Sequence, residues 1–298
     1  MILRDIGGHS RDVLQALEAE FGHENFYTWN SYNHGEDWAL KSYALAIKER
    51  KNIICAETPL IGRSLFNNHD SESYYRIGIN IVSSQQFTNF NLPKNVSSDR
   101  LHSILENTKT NLKNWRSDGE HIIYAMQVPG DSSLRGLDIF AAAQYDLIQI
   151  RQISNRPIII TLHPDLKKGW AQENFKRNNQ NFEKFTNVVD LVDAKLQLGG
   201  SEEALEGCWC TICYSSGFGF DSLAAGVPVI TLSNNSFVAP LCSNSIYEIE
   251  TPFIPNDCQK YSWLSRVAYC QWRLSEIKSG LFKKHIYSVY EEMFTNQA

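Results

Sequence analysis

Three polar stretches in the second half of the chain carry side chains that could hold a phosphoryl group. They contain Gln127, Gly130, Asp131, Ser132 and Ser133, then His163 and Pro164, and finally Ser215, Ser216, Gly217 and Asp221. Each stretch follows an apolar run typical of a buried strand. Loops that leave the carboxyl ends of parallel strands share one edge of the sheet, where open α/β sheets bind ligands. We therefore expect the three stretches to meet in one crevice and to bind a phosphate there.

The third stretch has the clearest phosphate signal. Residues 210–214 predict a strand, residues 215–217 a turn, and residues 220–225 a short helix that Gly226 ends. A helix N-terminus has free backbone N–H groups and a partial positive charge, and both favour an anion. Serine and glycine also form ordinary tight turns, so the pattern alone leaves both interpretations open. Asp221 either complements the helix dipole or accepts hydrogen bonds from a ribose.

The other candidates also have two interpretations each. Gly130-Asp131 is either part of the phosphate loop or only a turn, and His163 is either a phosphate ligand or a buried, hydrogen-bonded histidine. Glu57 ends a strand predicted over residues 52–57. It acts as a general acid or base in an interdomain cleft, or it pairs with Arg63 as a structural carboxylate. Arg63 in turn pairs with Glu57 or with an acidic sugar.

Cationic side chains also follow the predicted strands. Arg135 belongs to the first polar stretch, and Lys167 and Lys168 come after His163. The two lysines are typical of a solvated surface. Hydroxyls, a histidine and backbone amides around one crevice suit a phosphate better than a metal.

The cysteines invite a zinc interpretation that their spacing disfavours. Cys208, Cys210 and Cys213 have no fourth ligand nearby, and alternate side chains of a strand face opposite ways. We expect structural thiols and no bound metal. The chain also has no Walker motif, no G-x-G-x-x-G and no G-x-S-x-G, so the common nucleotide-loop and hydrolase signatures are missing.

Length and composition indicate a globular α/β protein. The chain has 298 residues, 43% of them hydrophobic, and a net charge of −5, so two domains are expected and a large basic nucleic-acid surface is not. The seven scattered cysteines favour a reducing compartment. The sequence shows no signal peptide and no apolar run of the ~18 residues that a membrane helix needs, so we expect a cytoplasmic protein without a transmembrane segment.

Hydrophobic periodicity predicts the elements that position these residues. The expected strands cover residues 26–29, 52–57, 74–81, 121–127, 157–164, 187–193, 210–214 and 228–232. The expected helices cover residues 9–22, 38–48, 99–115, 138–153, 172–185, 201–206, 220–225, 262–278 and 281–293. Strands that alternate with helices predict a parallel sheet with right-handed crossovers.

Four motifs in the second half resemble a known family. Residues 127–133 (QVPGDSS), 162–165 (LHPD), 215–229 (SSGFGFDSLAAGVPV) and 263–272 (WLSRVAYCQW) resemble, in order, elements of the bacterial capsule-polysaccharide biosynthesis glycosyltransferases, the Kdo-transferase-like family. Residues 57–63 (ETPLIGR) resemble its E-D-G-F-[LI]-R-S element more loosely, with Thr58 where the family has an acidic residue.

The resemblance implies an α/β fold of GT-B type, with two Rossmann-like domains, a cleft between them and a C-terminal helix that crosses back. It implies an acceptor-side domain at residues 1–117, a nucleotide-sugar-binding domain at residues 118–279 and a returning helix at residues 280–298. It also implies an enzyme without metal or cofactor, whose cosubstrate is a CMP- or UDP-linked sugar. Glu57, Asp131 and His163 are then the catalytic candidates, Arg63 contacts substrate, and the remaining polar residues hold the donor.

Three functions are compatible with these observations. The first is sugar transfer from a nucleotide sugar to a hydroxyl acceptor, with a capsule or lipopolysaccharide saccharide favoured and a hydroxymethylated DNA base as the phage-type alternative. The second is a nucleotide-sugar epimerase or hydrolase on the same scaffold. The third is a non-catalytic nucleotide-binding protein. Turnover of a nucleotide sugar with and without an acceptor distinguishes them.

Overall fold

The computed structural model describes residues 11–22, 26–30, 48–50, 52–62, 71–79, 96–163, 169–199, 203–234 and 236–289, and the structural statements below concern these residues. Arg63, Pro164, Lys167, Lys168 and most of the helix predicted over residues 38–48 lie outside them.

The strands and helices are numbered along the chain. The strands are β1 (Phe26–Asn30), β2 (Asn52–Glu57), β3 (Tyr74–Ile79), β4 (His121–Ala125), β5 (Ile158–Leu162), β6 (Ala194–Leu198), β7 (Cys208–Cys213), β8 (Val229–Thr231) and β9 (Gln271–Arg273). The helices are α1 (Arg11–Phe21), α2 (Asp99–Thr108), α3 (Ile139–Ile153), α4 (Gly169–Arg177), α5 (Asn179–Leu191), α6 (Phe218–Ala224), α7 (Asp257–Ala268), α8 (Leu274–Lys278) and α9 (Leu281–Val289). Among the described residues, no helix has the length and apolar character needed to cross a bilayer.

The chain divides into two compact units. The first contains Met1–Thr110 and Tyr261–Ala298, and the second contains Asn111–Lys260. The domain limits expected after residues 117 and 279 concern parts of the chain that fold independently. They stay predictions.

The described sheet of the first unit is mixed. Its strand order is β1-β2-β3-β9, in which β1 and β2 are parallel and the other neighbours are antiparallel. Val13 and Leu17 of α1 pack in one apolar cluster with Ile277, Phe282 and Ile286, which come from the last part of the chain. This sheet therefore differs from the all-parallel sheet that a second Rossmann-like domain would have.

The helix predicted over residues 262–278 is wrong at residues 269–273, whereas residues 274–278 are helical in α8. Helix α7 ends at Ala268, and β9 then pairs with β3. Ile77 N–H donates to the carbonyl of Cys270, and Leu274 N–H donates to that of Ser73. These sheet bonds use backbone groups that a continuous helix would have paired internally, so tertiary pairing overrides the helical periodicity.

The sheet of the second unit confirms the predicted parallel α/β architecture. Its five strands are parallel in the order β6-β5-β4-β7-β8. Counted along the chain within this unit, the order is 3-2-1-4-5, which is Rossmann-like. Helix α3 begins after Asp138, whose side chain accepts hydrogen bonds from the N–H groups of Phe140 and Ala141 and so caps the helix.

The strand predicted over residues 187–193 is wrong. Residues 187–191 belong to helix α5, not to a strand, and the edge strand β6 comes later. Phe182, Phe185, Val189 and Val192 recur at helical spacing and pack around the same core, so burial outweighs the β-propensity of the valines.

The helix predicted over residues 99–115 ends at Thr108, because Lys109 adopts a left-handed conformation with φ 53°. The following segment belongs to the second unit. Lys113 N–H donates to the carbonyl of Ala224, and Arg116 N–H donates to that of Gly226.

Candidate functional site

The reversal of strand order in the second unit lies between β4 and β7. From β4 the chain moves outward through β5 and β6, and it then returns to the other side of β4 with β7 and β8. In open parallel sheets, the crevice outside the carboxyl ends at such a reversal is where ligands bind. The first and third polar stretches predicted from the sequence leave the sheet at this point.

The register of the sheet aligns the predicted residues. Ala125 pairs with Thr161 on one side and with Cys213 on the other. Gln127, His163 and Ser215 each stand two residues beyond this row, on three neighbouring strands. Strand β4 lies between β5 and β7, so two strand spacings separate the backbone at His163 from that at Ser215. Neighbouring strands are about 4.8 Å apart.

Gln127 joins two of the three loops by direct hydrogen bonds. Ser215 N–H donates to Gln127 Oε1 at 2.9 Å, and Gln127 Nε2 donates to Ser133 Oγ at 2.8 Å and to Ser215 Oγ at 3.0 Å. Because a backbone N–H can only donate, the oxygen of the Gln127 amide has to face Ser215, and its nitrogen has to face the two hydroxyls. The amide side chain is buried and fixed in one orientation.

Asp131 completes the arrangement. Its Oδ1 accepts from Ser133 N–H at 2.8 Å and from Ser133 Oγ at 2.5 Å, so the hydroxyl proton of Ser133 points to a carboxylate. Ser133 Oγ also lies 2.8 Å from Ser215 Oγ. We call Gln127, Asp131, Ser133 and Ser215 the serine cluster.

One hydroxyl proton of the serine cluster, that of Ser215, can change its acceptor. A serine hydroxyl has one proton and two lone pairs. The proton of Ser133 goes to Asp131, whereas the proton of Ser215 lies within reach of Ser133 Oγ at 2.8 Å, Gln127 Oε1 at 3.2 Å and the Ser133 carbonyl at 3.3 Å. Because Gln127 Oε1 still accepts from Ser215 N–H, and Ser133 Oγ still accepts from Gln127, the half-buried Ser215 hydroxyl can turn its proton to a ligand without leaving either acceptor unpaired.

The amides in the first turn of α6 are hydrogen-bonded, contrary to the expectation of free amides there. Phe218 N–H donates to Ser216 Oγ at 3.2 Å, Gly219 N–H to the Ser216 carbonyl at 3.1 Å, and Phe220 N–H to the Gly217 carbonyl at 3.0 Å. The backbone of Ser216 is hydrogen-bonded to the buried thiol of Cys213. These amides are occupied because the turn closes on itself, so hydroxyl groups are the more accessible donors at this edge.

The remaining predicted donor residues surround the same edge. Gly130 has φ 76° in the turn before Asp131, and Ser132 opens a 3-10 turn that ends at Leu134. His163 is half-buried directly after β5, and the exposed Asp221 lies in the first turn of α6.

Glu57 lies in the other unit and has an ion-pair partner there. It stands opposite Arg76 across the antiparallel pair β2–β3, and the two side chains form a largely buried ion pair. The loop after β2 is held by Gln271, whose Oε1 accepts from Leu60 N–H at 2.7 Å and from Ile61 N–H at 2.8 Å. Gln271 is fully buried, and nothing in its local sequence distinguishes it.

A cavity of about 490 Å³ opens beside the serine cluster, in the size range of small-molecule sites. Its lining comes from the loops after β4, β7 and β8: Leu134, Arg135, Gly136, Leu137, Tyr214, Leu232 and Ser233. Apart from Arg135, the candidates named from the sequence do not include these residues. The strand predicted over residues 228–232 could have pointed to the third of these loops, because its carboxyl end lies at the same edge.

The Tyr214 side of the cavity is held in place by a hydrogen bond to Asp146. The hydroxyls of Tyr124 and Tyr214 both donate to Asp146 Oδ2, at 2.7 Å and 2.9 Å. Burial raises the pKa of Asp146, whereas the two hydrogen bonds lower it. Sequence reasoning missed Asp146, because a single aspartate on an otherwise apolar helix face gives no pattern.

The cysteines of β7 behave as core residues. Cys208, Cys210 and Cys213 are buried, and burial raises the pKa of the Cys208 thiol to about 11, so it stays protonated at neutral pH. Across the described ranges, no three His, Cys, Asp or Glu side chains come together in a way that could hold a metal ion.

Comparisons with known proteins give distant likenesses. No family model matches the chain, and no curated protein sequence matches it. Among solved structures, the β-Kdo 2,7-transferase KpsC of Thermosulfurimonas dismutans aligns over 92% of this chain and 90% of its own, with 15% identity and a TM-score of 0.49.

Aspartate transcarbamoylase of Trypanosoma cruzi, in complex with N-(phosphonacetyl)-L-aspartic acid, aligns over 90% of each chain with 10% identity and a TM-score of 0.23. Its ligand-free form aligns over 90% of this chain and 87% of its own, with 12% identity and a TM-score of 0.21. Similarity at this level assigns no function, so the functional proposal rests on the side chains of this protein.

Proposed function

We propose that this protein is a glycosyltransferase that moves a sugar from a nucleotide-sugar donor to a hydroxyl acceptor, with a saccharide as the favoured acceptor. The supporting observation is the serine cluster, which joins the loops after β4 and β7 at the reversal of strand order. It offers a fixed hydroxyl with a movable proton where a parallel sheet binds its ligand.

The chemistry of glycosyl transfer needs such a donor. The bond between the anomeric carbon and the phosphate oxygen breaks, and its electron pair stays on the phosphate. Fixed hydrogen-bond donors that point to the developing charge lower the barrier. Ser215 donates a hydrogen bond from its hydroxyl to the leaving phosphate and keeps its proton, and His163 contributes from the strand on the other side of β4.

The proposed roles of the other residues follow the motifs. Gln127 orients Ser133 and Ser215, and Asp131 holds Ser133. The remaining donor contacts come from Gly130, Ser132, Pro164, Ser216, Gly217 and Asp221, the last of these at the ribose. Glu57 is ion-paired with Arg76 and has a structural role, so the proton of the acceptor hydroxyl passes to solvent. Arg63 contacts the substrate, and the reaction proceeds in a GT-B architecture without a metal.

Turnover tests this proposal. CMP-, UDP- and GDP-linked sugars are incubated with the protein, with and without oligosaccharide acceptors, and nucleotide release and glycosylated product are measured. Ser215→Ala should lower kcat about 100- to 1000-fold, because it removes one donor to the leaving phosphate.

Ser117→Ala, at an exposed serine of the same unit, should match the parent protein. Equal turnover by Ser215→Ala and the parent protein, or nucleotide release without product in the presence of every acceptor, would rule the proposal out.

A further inference from the structure

The serine cluster lacks the positive charge that a phosphoryl ligand needs. Gln127, Ser133 and Ser215 are neutral, and Asp131 adds a carboxylate two residues before Ser133. A phosphoryl group next to a carboxylate is repelled unless a cation offsets both charges. The loop after β4 contains such a cation at Arg135.

Arg135 has no visible structural role. Its backbone is left-handed, with φ 51°, followed by Gly136 with φ 80°. Left-handed backbone is uncommon for a residue other than glycine, asparagine or aspartate. The side chain is exposed and lines the cavity, and among the described residues its guanidinium forms no ion pair or hydrogen bond. A guanidinium presents a planar set of donors that matches a phosphate or carboxylate.

The rest of the cavity exposes polar and apolar surface in about equal parts, which suits a flat group with apolar faces and polar edges. Leu134, Leu137, Leu232 and the ring of Tyr214 supply the apolar part, and Ser233 adds a hydroxyl. A sugar ring needs hydrogen-bond partners for many hydroxyls, whereas a nucleobase has two apolar faces and a few polar edge atoms. The volume of about 490 Å³ accommodates a nucleoside.

The cavity and the serine cluster are continuous along the chain. Leu134 follows Ser133 directly, and Tyr214 directly precedes Ser215. One ligand can therefore place a ring with polar edges in the cavity and an anionic group at the two serines.

We propose that the cavity binds the nucleoside of a nucleoside 5′-phosphoryl compound, and that Arg135 is the charge partner of its phosphoryl group. The inference rests on the proposed function only for the class of ligand, and it needs neither a sugar nor an acceptor. It adds Arg135 and Ser233 to the binding residues.

Calorimetric titration with nucleotides alone tests the inference. The probes are the 5′-monophosphates and 5′-diphosphates of cytidine, uridine, adenosine and guanosine, the free nucleosides, and inorganic phosphate. Arg135→Gly removes the guanidinium at a position whose φ suits glycine, so the variant should fold. It should bind the preferred nucleotide about 10- to 100-fold more weakly, which corresponds to losing one or two charge-assisted hydrogen bonds.

Three further variants distinguish the effect of the Arg135 charge on nucleotide affinity from the effect of the space in the cavity. Arg135→Lys should recover part of the affinity, and Leu137→Trp should weaken nucleotide binding by filling the cavity while leaving the charge in place. Arg177→Met, at an exposed arginine of α4, should bind like the parent protein.

Unchanged nucleotide affinity in Arg135→Gly, or an affinity for inorganic phosphate equal to that for nucleotides, would overturn the inference. Nucleotide binding through Arg135 without turnover of any nucleotide sugar would support the inference and refute the transferase. Sugar transfer that is unchanged in Arg135→Gly would support the transferase and overturn the inference.

Discussion

At the carboxyl end of β2 in the first unit, Glu57 is ion-paired with Arg76, and the loop that follows is bonded to the buried amide of Gln271. At the carboxyl ends of β4 and β7 in the second unit, Gln127 is also buried, but Ser215 keeps a hydroxyl proton that can turn to a ligand. Glu57 and Gln271 of the first unit are bonded to groups inside the protein, whereas the Ser215 hydroxyl of the second unit can donate to a ligand. Substitutions in the first unit should therefore act mainly on stability, and those in the serine cluster mainly on turnover.

The largest expected effect comes from breaking the ion pair of the first unit. Arg76→Met leaves the Glu57 carboxylate largely buried without its partner, and we expect it to lower the free energy of unfolding by about 3–5 kcal/mol. Urea denaturation followed by circular dichroism measures the change. The double variant Arg76→Met with Glu57→Gln should recover part of the loss, because it removes the stranded charge. A change below about 0.5 kcal/mol in Arg76→Met would contradict the comparison.

Gln271→Ala should have the next largest effect. It removes the acceptor of Leu60 N–H and Ile61 N–H in a buried loop, and each stranded donor costs about 1–3 kcal/mol. We expect a loss of about 2–4 kcal/mol in the same denaturation experiment. Gln15→Ala, at an exposed position of α1, is the matched control and should stay within about 0.5 kcal/mol of the parent. Equal effects of the two variants would show that Gln271 does not hold the loop.

Lys260 provides a pH-dependent contrast with Arg135 within the second unit. Its Nζ donates to the carbonyl of Lys113 at 3.0 Å and lies 4.3 Å from the ring centre of Trp115, whereas the guanidinium of Arg135 has no ion pair or hydrogen bond within the described part of the chain. Burial lowers the pKa of Lys260 from its ordinary value of 10.5 to about 8, although Asp257 acts to raise it.

Between these two values the unfolded chain binds a proton that the folded protein has released, so the Lys260 contribution to stability rises with pH across this window. We expect a gain of about 1–3 kcal/mol from pH 8 to pH 10.5 that Lys260→Met abolishes. Denaturation midpoints measured at several pH values test this. An identical pH profile in Lys260→Met would refute the assignment.

The sequence predicts the sheet topology of the second unit better than that of the first, for a physical reason. Its central strands are short apolar runs bounded by polar turns, and each is buried on both faces, so composition alone marks them. Residues 187–193 and 270–273 were assigned to the wrong element because tertiary packing and strand pairing decided their structure, and single-chain periodicity does not contain that information.

The candidate site was likewise predicted only in part. Alternating strands and helices indicate which loops share an edge, and at this edge the side chains of Gln127, Ser133 and Ser215 are hydrogen-bonded to one another. They do not indicate strand order, so the contribution of the β8 loop to the cavity was missed. Gln271 is 211 residues away from Leu60, and only the folded sheet brings the two together.

The smallest expected change in stability is that of Ser215→Ala, and it separates function from folding most sharply. Gln127 Oε1 keeps its bond to the backbone N–H of residue 215, and Gln127 Nε2 keeps Ser133, so no buried group is stranded. We expect less than about 1 kcal/mol in the free energy of unfolding, together with the large loss of turnover already described.

Ser222→Ala is the counterpart within the same unit. Ser222 is fully buried and bonds Thr211 Oγ1 and the Phe218 carbonyl, both at 2.9 Å, so its loss should cost more stability without a direct effect on donor turnover. If Ser215→Ala destabilised the protein as much as Ser222→Ala, and if turnover fell in both in proportion to the folded fraction, the serine cluster would be a structural feature like the Glu57–Arg76 pair. The contrast between the two strand ends would then have no functional meaning.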